Sequence, residues 1–412
     1  MPAGQANAGP KRGAGPAVRG EWETQKRNGA RGDRSRIGRG LKDLVKRKRN
    51  SAQVAIGRGR GIMAEFAFVV HPVDARSDMA RQYPWARLLP TAVLEAVMKA
   101  HRKPIFLCDM TGIRSPDGKE TRGYLVGVPM TARQMLREPP EATYEILIEC
   151  ARFARSLGAG IIGLGGFCSV VGDAGKTVAE HSPIPTTTGH SYTVWAAVEG
   201  LRLAAAQAGI RTDDGAIGVV GATGAIGRAC ALALAGQARE LLLVGKDKAR
   251  LEVVADEVRS MGECRVRIAD ATADLRETRL VVSATNDPRP VIAPTDLCRG
   301  AIVCDVAMPP DLGPGFSLRR PDVTVVPGGV ISVPGAPAWK FNFRLPPGQV
   351  FACMAETIIL ALEGRLESFT LGKRIGLESV REMGEMAQRN GFAVVTPTPK
   401  AESSRASIPP QV

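Results

Sequence analysis

The chain has 412 residues, of which 44% are hydrophobic and 23% are charged, so it is long enough for two domains and has the composition of a folded protein. No apolar run reaches the about 18 residues that a membrane helix needs, and the basic N-terminus lacks the apolar segment of an export signal. We therefore expect a soluble, cytoplasmic protein without a membrane span. Eight cysteines occur without a C-x-x-C pair, so neither a disulfide framework nor a metal site is expected.

Most of the formal charge of +14 lies at the N-terminus, where residues 1–60 hold sixteen Lys and Arg against four Asp and Glu. This segment lacks a periodic apolar face, so residues 1–62 are predicted to form a disordered basic arm. One interpretation is that the arm contacts nucleic acid nonspecifically, and the other is that translation begins at Met63. Both keep the arm out of the chemistry. No nucleic-acid contact is expected elsewhere, because the rest of the chain is nearly neutral.

Strand-like and helix-like segments alternate over residues 63–200, which predicts an N-terminal α/β substrate domain. The strand-like runs are 66–70, 104–108, 121–128 and 160–164, and helices are predicted over 141–157 and 191–208. The second of these helices is expected to bridge the two domains. The strand 160–164 runs into a loop whose glycines allow close backbone approach. We interpret it as a substrate loop, with Gly165, Gly166, Phe167 and Ser169 as its site residues.

The strongest local signal is the strand Ala216–Val220, which is followed by Gly221-Ala-Thr-Gly224-Ala-Ile-Gly227 and a helix of small residues. In a dinucleotide-binding turn the first glycine permits the tight turn, the second admits the pyrophosphate and the third allows helix and strand to pack closely. The amides at the helix N-terminus then bind the phosphates. This pattern predicts a Rossmann NADP-binding domain over residues 201–345, with the cofactor-binding residues Gly221, Thr223, Gly224, Ala225, Ile226, Gly227, Lys246 and Ala284.

The end of the next strand, Glu240–Val244, indicates which nicotinamide cofactor binds. The chain continues as Gly245-Lys246-Asp247. In NAD-dependent proteins, by contrast, the residue directly after this strand is acidic. Lys246 is suited to a 2′-phosphate, so NADPH is favoured, although Asp247 argues mildly for NAD.

Further candidates lie where the strands Leu280–Ser283 and 301–305 end, because ligands bind outside the carboxyl ends of parallel strands. Cys304 is one, and the alternative is that it is a small buried hydrophobe. His190 and Tyr192 begin the bridging helix, where either can protonate an alkoxide, or His190 caps the helix and Tyr192 packs. Two C-terminal helices are predicted within 346–395, over 350–362 and Leu377–Arg389, followed by a disordered tail, 396–412.

In the order and spacing of several separated motifs, the chain resembles the long-chain acyl-(acyl-carrier-protein) reductases of cyanobacteria. The resemblance covers about residues 66–392 and rests on Leu164-Gly-Gly-Phe167 with Ser169, Thr187-Thr-Gly189 with Thr193, Gly221 to Gly227, Pro327-Gly-Gly-Val330, Phe351-Ala-Cys-Met-Ala-Glu356 with Glu363-Gly364, Gly372-Lys-Arg374, Met383-Gly-Glu385 and Asn390-Gly-Phe392. It implies NADPH-dependent reduction of a fatty acyl thioester, carried by acyl carrier protein or coenzyme A, to an aldehyde. The acyl group is first transferred to a cysteine and then reduced by hydride. Magnesium can assist a phosphate-bearing substrate.

The chain departs from this family at the position that we align with the nucleophilic cysteine, which is Ala301. Cys298 and Cys304 lie three residues to either side, and we consider Cys304 as a displaced nucleophile. The polar run at His190 to Thr193 also differs from the family. Two other hypotheses stay open: a dehydrogenase of a small hydroxy or amino acid, similar to shikimate dehydrogenase, and a noncatalytic dinucleotide sensor.

Overall fold

The computed structural model describes residues 62–82 and 84–397. The predicted basic arm, apart from residue 62, and the tail beyond residue 397 lie outside the described residues. Within the described part of the chain, no helix is both long and apolar enough to cross a membrane.

The strands are β1 (Ile62–Val70), β2 (Ile105–Arg114), β3 (Glu120–Gly127), β4 (Ile161–Leu164), β5 (Thr186–Thr187), β6 (Ala216–Val220), β7 (Glu240–Val244), β8 (Arg265–Ala269), β9 (Leu280–Ser283), β10 (Ile302–Asp305), β11 (Thr324–Pro327), β12 (Val330–Ser332), β13 (Gly335–Trp339), β14 (Gln349–Phe351) and β15 (Ala393–Val394). The α-helices are α1 (Ala75–Gln82), α2 (Thr91–His101), α3 (Ala132–Arg137), α4 (Pro140–Leu157), α5 (Lys176–His181), α6 (His190–Gln207), α7 (Ala225–Ala235), α8 (Lys248–Arg259), α9 (Phe316–Arg319), α10 (Ala352–Leu362) and α11 (Leu377–Arg389). Short 3-10 helices lie at Pro84–Leu88, Gly166–Ser169, Thr272–Glu277 and Pro294–Asp296.

The first sheet has the strand order β13-β2-β3-β1-β4-β5. Strands β3, β1, β4 and β5 are parallel, whereas β2 and β13 continue the sheet in antiparallel pairs. All four residues of β4 are buried, as expected for a parallel strand covered on both faces. Strand β13 falls within the range 201–345 that we predict for the Rossmann domain, yet it pairs with β2 of this first sheet.

The second sheet is entirely parallel and has the order β11-β10-β9-β6-β7-β8. The chain starts at the centre with β6, moves outward to β8, and returns to the centre at β9 before continuing to β11. This order reverses between β6 and β9, which is the arrangement of the Rossmann fold. The predicted α/β architecture, with an N-terminal mixed sheet and a parallel Rossmann sheet, is confirmed. We call the first sheet the substrate sheet after the role predicted for it, and the second the Rossmann sheet.

One helix, α6, joins the two sheets. It contributes Val194 and Leu201 to the core of the second sheet and Tyr192 and Ala196 to the core of the first, as predicted for a bridging helix. Helix α10 is buried along its whole length except at Cys353 and packs against β1, β4 and α6. The two sheets therefore share helix α6, and their relative position is fixed by packed side chains rather than by a linker.

The start of α10 differs from the prediction of a helix over 350–362. Val350 and Phe351 belong to β14, which pairs with β12, and the helix begins at Ala352. β-branched and aromatic residues favour a strand at this point, and the prediction missed the partner strand. The difference matters because it places Cys353 in the first turn of α10.

The burial of α10 predicts a large loss of stability on truncation of its core side chains. Leu360 is fully buried and Leu318, on α9, is 88% exposed. We expect Leu360→Ala to lower the free energy of unfolding by about 2–5 kcal/mol and Leu318→Ala by less than about 0.5 kcal/mol, measured by urea denaturation. Equal losses in the two variants would contradict the central position of α10.

Candidate active site

The candidate site lies where the carboxyl ends of strands from both sheets meet. The amide of Ala352, at the start of α10, donates to the carbonyl of Gly329 at 2.7 Å, just beyond β11. The amide of Gly166, just beyond β4, contacts the thiol of the next residue on α10, Cys353. The first turn of α10 therefore stands between the end of the substrate sheet and the end of the Rossmann sheet.

The turn after β6 has the geometry that a dinucleotide requires. Gly221 has a positive φ of 77°, and a side chain there would place its Cβ 2.7 Å from the carbonyl oxygen of Ala284. A Cβ on Gly227 would overlap the carbonyl of Gly221. Gly224 is exposed at the start of α7, with Thr223, Ala225 and Ile226 half-buried around it. These residues fit a nicotinamide dinucleotide, because the glycines leave a cradle beside the helix N-terminus.

After β7, Asp247 and Arg250 hydrogen-bond to the backbone, whereas Lys246 is exposed. The carboxylate of Asp247 caps α8 by accepting from the amide of Arg250 at 3.1 Å. Lys246 is 84% exposed and pairs with Asp287 at 2.9 Å, while the guanidinium of Arg250 donates to the carbonyl of Thr223 at 2.8 Å. Two cations thus lie beside the glycine turn. The carboxylate of Asp247, which argued for NAD, is used as the cap of α8.

A buried carboxylate orders the loop after β9, next to the predicted cofactor residue Ala284. Asp311 is fully buried and accepts from the Ser283 hydroxyl at 2.6 Å and from the Thr285 amide at 3.1 Å. The neighbouring Asp305, at the carboxyl end of β10, accepts from two backbone amides, and burial raises its pKa to about 7. This edge is therefore built from acceptors that hold backbone in place.

Cys304 does not lie in the crevice, which corrects the interpretation of this residue as a displaced nucleophile. Its side chain is fully buried in the core between the second sheet and α6, with its sulfur close to Gly200. Burial raises the pKa of the thiol well above its usual range. Cys304 is a small core hydrophobe, because a strand side chain beside the carboxyl edge can still point into the packed face.

Ala301 and Cys298 lie where the strands of the second sheet begin, opposite the edge at which the strands end. Ala301 precedes β10 and is fully buried, and the Cys298 thiol donates to the carbonyl of Thr278, which precedes β9. Four strand residues separate this edge from the carboxyl edge, a rise of about 13 Å. Our alignment of the family nucleophile with Ala301 is therefore inconsistent with a site at the carboxyl ends of the strands.

The structure brings a different cysteine, Cys353, to the site. It is half-buried in the first turn of α10, and no side chain caps the amides of that turn. Burial raises the pKa of its thiol to about 12, whereas hydrogen bonds from the amides of Met354 and Gly166 lower it. A helix N-terminus and aimed amides are the surroundings that stabilise a thiolate or an oxyanion.

The predicted substrate loop supplies one wall of this site. Gly166 is exposed and Phe167 half-buried, and Ser169 donates its hydroxyl hydrogen to the Gly166 carbonyl at 2.7 Å. Gly165 follows β4 directly and donates its amide to Val69 of β1 at 3.0 Å. The loop is thus anchored at both ends and leaves the Gly166 amide directed at the thiol.

His71, which follows the predicted strand 66–70, is a site residue that the sequence pattern did not reveal. Its Nδ1 contacts the Pro72 carbonyl at 3.0 Å, so Nε2 is the acceptor for the Phe167 amide, also at 3.0 Å. A side chain on Gly166 would bring its Cβ within 2.7 Å of this Nε2. Burial lowers the pKa of His71, so the imidazole stays neutral and holds the loop.

His190 and Tyr192 lie at the start of α6, beside the site, but their side chains have different surroundings. Because Ser169 donates to Gly166, the His190 Nε2–H donates to Ser169 Oγ at 3.1 Å, which leaves the buried Nδ1 as an acceptor without a partner among the described residues. Burial lowers the pKa of His190 to about 4. The imidazole is therefore neutral near pH 7 and does not suit the acid role that we considered for it.

Tyr192 is fully buried and stacks on Trp195 with ring centroids 5.6 Å apart. Burial raises the pKa of its phenol far above the usual range. The side chain belongs to the core of the first sheet, and only its backbone amide, which donates to Glu356 at 2.9 Å, serves the site. This corrects the interpretation of Tyr192 as a proton donor.

The signal for Cys353 was present in the sequence. It lies in the segment Phe351 to Glu356, which is one of those that carry the resemblance to the acyl reductases. Because the helix was predicted to begin at residue 350, the prediction did not place Cys353 in the first turn of the helix. Among the described residues, no group of three or more His, Cys, Asp and Glu is placed to hold a metal ion.

No protein-family model matches the chain. It is 32% identical over 291 residues to the aminotransferase PigE of a Serratia species, covering 68% of this chain and 33% of PigE. It is 28% identical over 134 residues to the long-chain acyl-(acyl-carrier-protein) reductase of Synechococcus elongatus, covering 31% of this chain and 39% of that enzyme. The chain thus spans between a third and two fifths of these curated relatives. The solved structure of L-tryptophan dehydrogenase from Nostoc punctiforme is 12% identical, with 79% of this chain and 80% of that chain covered and a TM-score of 0.40.

The strand order, the glycine turn and its helix are those of a Rossmann dinucleotide-binding fold of the kind found in oxidoreductases. The resemblance to the acyl reductases is supported over part of the chain.

The low pKa of His190 predicts a specific loss of stability in acid. Between pH 6.5 and 4 the unfolded state binds a proton that the folded state does not, so the contribution is present at pH 7 and is lost as the pH falls. From pH 7 to pH 5 we expect the wild type to lose about 2 kcal/mol more unfolding free energy than His190→Gln, which keeps a donor to Ser169. Urea denaturation at both pH values measures this difference, and identical losses would show that His190 titrates normally.

Proposed function

We propose that the protein is an NADPH-dependent reductase that converts an acyl thioester to an aldehyde through an acyl group carried on Cys353. The observation that carries this proposal is the position of the thiol, in the first turn of α10 between the carboxyl ends of both sheets and under the Gly166 amide. The glycine turn after β6 and the amides at the start of α7 would hold the cofactor, which would supply a hydride at the same edge of the Rossmann sheet.

The first half-reaction is acyl transfer. The thiolate of Cys353 attacks the carbonyl carbon of the thioester, and the carrier leaves as a thiol after taking a proton. The amide of Gly166 and those of the first turn of α10 are placed to donate to the oxyanion. We assign to His190 the role of accepting the thiol proton at Nδ1, because this buried acceptor has no partner among the described residues and follows Gly189, which contacts Cys353.

The second half-reaction reduces the acyl group. When bound, the nicotinamide supplies the hydride. The same amides hold the oxyanion on the acyl carbon, which collapses to the aldehyde and returns the thiolate of Cys353. We assign to Phe167 and His71, which pack on each other next to Gly166, the role of limiting access of water, which would otherwise hydrolyse the acyl-enzyme.

The preference for NADPH is supported by the charges around the glycine turn. Lys246 and Arg250 are exposed cations beside the glycine turn, which suits a 2′-phosphate, and Asp247 is occupied as the cap of α8. Phosphate binding by two exposed cations replaces the acidic residue that would accept from the ribose of NAD.

The assignment of the nucleophile predicts opposite results for two cysteines. We expect Cys353→Ala to lower the rate of aldehyde formation from palmitoyl-coenzyme A or palmitoyl-acyl carrier protein by more than about 1,000-fold, because the covalent step is lost. Cys304→Ala, which removes one buried sulfur from the core, should keep activity within about threefold. Aldehyde is identified by mass spectrometry, with NADPH consumption followed in parallel. Full activity in Cys353→Ala would refute the proposal.

The cofactor assignment predicts a selective change in affinity. Replacing both Lys246 and Arg250 by Ala should raise the Kd for NADPH by at least about tenfold and leave the Kd for NADH within about twofold, since only the 2′-phosphate loses its partners. Fluorescence titration measures both constants without turnover. An equal change for both cofactors would remove this basis for the preference.

A further inference from the structure

We propose that Glu356 is a positioning residue for Cys353, whose carboxylate holds the turn at Gly189 against the thiol-bearing first turn of α10. This inference rests on the proposed function, because it gives Glu356 a role towards the nucleophile named there.

Glu356 follows Cys353 by three residues on α10, so both side chains lie on neighbouring parts of the same helix face. Its carboxylate is fully buried. It accepts from the hydroxyls of Thr187 and Thr370, the latter at 2.8 Å, and from the amides of Tyr192, at 2.9 Å, and Gly189. Three separate segments, β5 with the following turn, the start of α6 and the segment after α10, are thereby fixed to one side chain.

The contacts on the far side of this turn reach the thiol. Gly189 has a positive φ of 75°, and a Cβ on it would overlap the Cα, Cβ and carbonyl oxygen of Cys353. The next residue, His190, contacts Ser169, which contacts Gly166, whose amide is directed at the Cys353 thiol. Glu356 therefore closes a ring of contacts around Cys353, and its hydrogen bonds set how closely the turn approaches.

The burial of this carboxylate is costly and is not offset by a cation. No Lys or Arg in residues 62–82 and 84–397 forms a salt bridge with Glu356, and only hydroxyls and amides face it. An apolar side chain of similar size would pack here without that cost. The fold therefore requires a hydrogen-bond acceptor at this position, because two of the donors to Glu356 are backbone amides whose direction is fixed.

The charge of Glu356 gives a second, separable effect. Burial raises the pKa of this carboxyl, whereas the hydroxyls and amides that donate to it favour the charged form. The other titratable groups around this turn are His71, His190 and Tyr192, and burial keeps both histidines and the phenol neutral at pH 7. The carboxylate therefore adds to burial in raising the pKa of the Cys353 thiol. Removing the charge should make the thiol more reactive towards a small reagent, even where it makes catalysis slower.

Two variants separate position from charge. Glu356→Gln keeps an acceptor for the amides and can donate to the two threonine hydroxyls, whereas Glu356→Ala removes both. We expect kcat for palmitoyl-coenzyme A to fall by at least about tenfold in Glu356→Ala and to recover to within about threefold in Glu356→Gln, with the KM for NADPH unchanged. Iodoacetamide alkylation of Cys353 at pH 8, measured by peptide mass spectrometry, should be about threefold faster in both variants, because the carboxylate no longer raises the pKa of the thiol.

Glu363→Ala is the matched control, because this carboxylate ends the same helix and is held by Asn390 and Arg389. It should leave kcat and alkylation of Cys353 as in the wild type. Thermal unfolding establishes that each variant is folded. A folded Glu356→Ala with wild-type kcat, or unchanged alkylation in both Glu356 variants, would overturn the inference. If the wild type forms no aldehyde, the proposed function fails, while the alkylation rates still decide whether Glu356 sets the state of the thiol.

Discussion

The close contact between Gly189 and the first turn of α10 is the constraint on which the site depends. A side chain at Gly189 would occupy the space of the Cys353 backbone, so helix α6 and helix α10 can approach at this point only through a glycine. Because α6 packs on the Rossmann sheet and α10 on the substrate sheet, this contact also fixes how the two carboxyl edges face each other. The proposed chemistry thus lies where α6 and α10, which pack on different sheets, are in direct contact.

The two halves of the site are built on different physical principles. The cofactor edge uses backbone amides at the start of α7, exposed cations and buried acceptors such as Asp311, all of which are suited to an anionic ligand. The substrate edge holds two imidazoles that burial keeps uncharged and one buried carboxylate, that of Glu356, which accepts from hydroxyls and amides. It carries no cation that pairs with this carboxylate among the described residues, so hydrogen bonds rather than ion pairs hold the proposed acyl-enzyme site in place.

The sequence allowed the Rossmann half to be predicted closely, because its signals are local: the strand before Gly221, the turn, and the helix after it lie within twenty residues. The loop at Gly165 to Ser169 was also located from its glycines, and its role towards a substrate stays a prediction. Cys353 was not, because its surroundings come from β4, α6 and β11, which are distant in the chain. Cys304 and Tyr192 were misplaced for the same reason, since a sequence pattern shows that a residue is near a strand or helix end but not which way its side chain points.

The most direct test of this account is to trap the acyl group on the protein in the absence of NADPH. The full-length chain, mixed with palmitoyl-coenzyme A, should gain the mass of one palmitoyl group, and peptide mass spectrometry should locate it on Cys353. Adding NADPH should then remove the group as hexadecanal. A protein that gains no mass, or one that carries the acyl group on another residue, would contradict the assignment of Cys353 as the nucleophile.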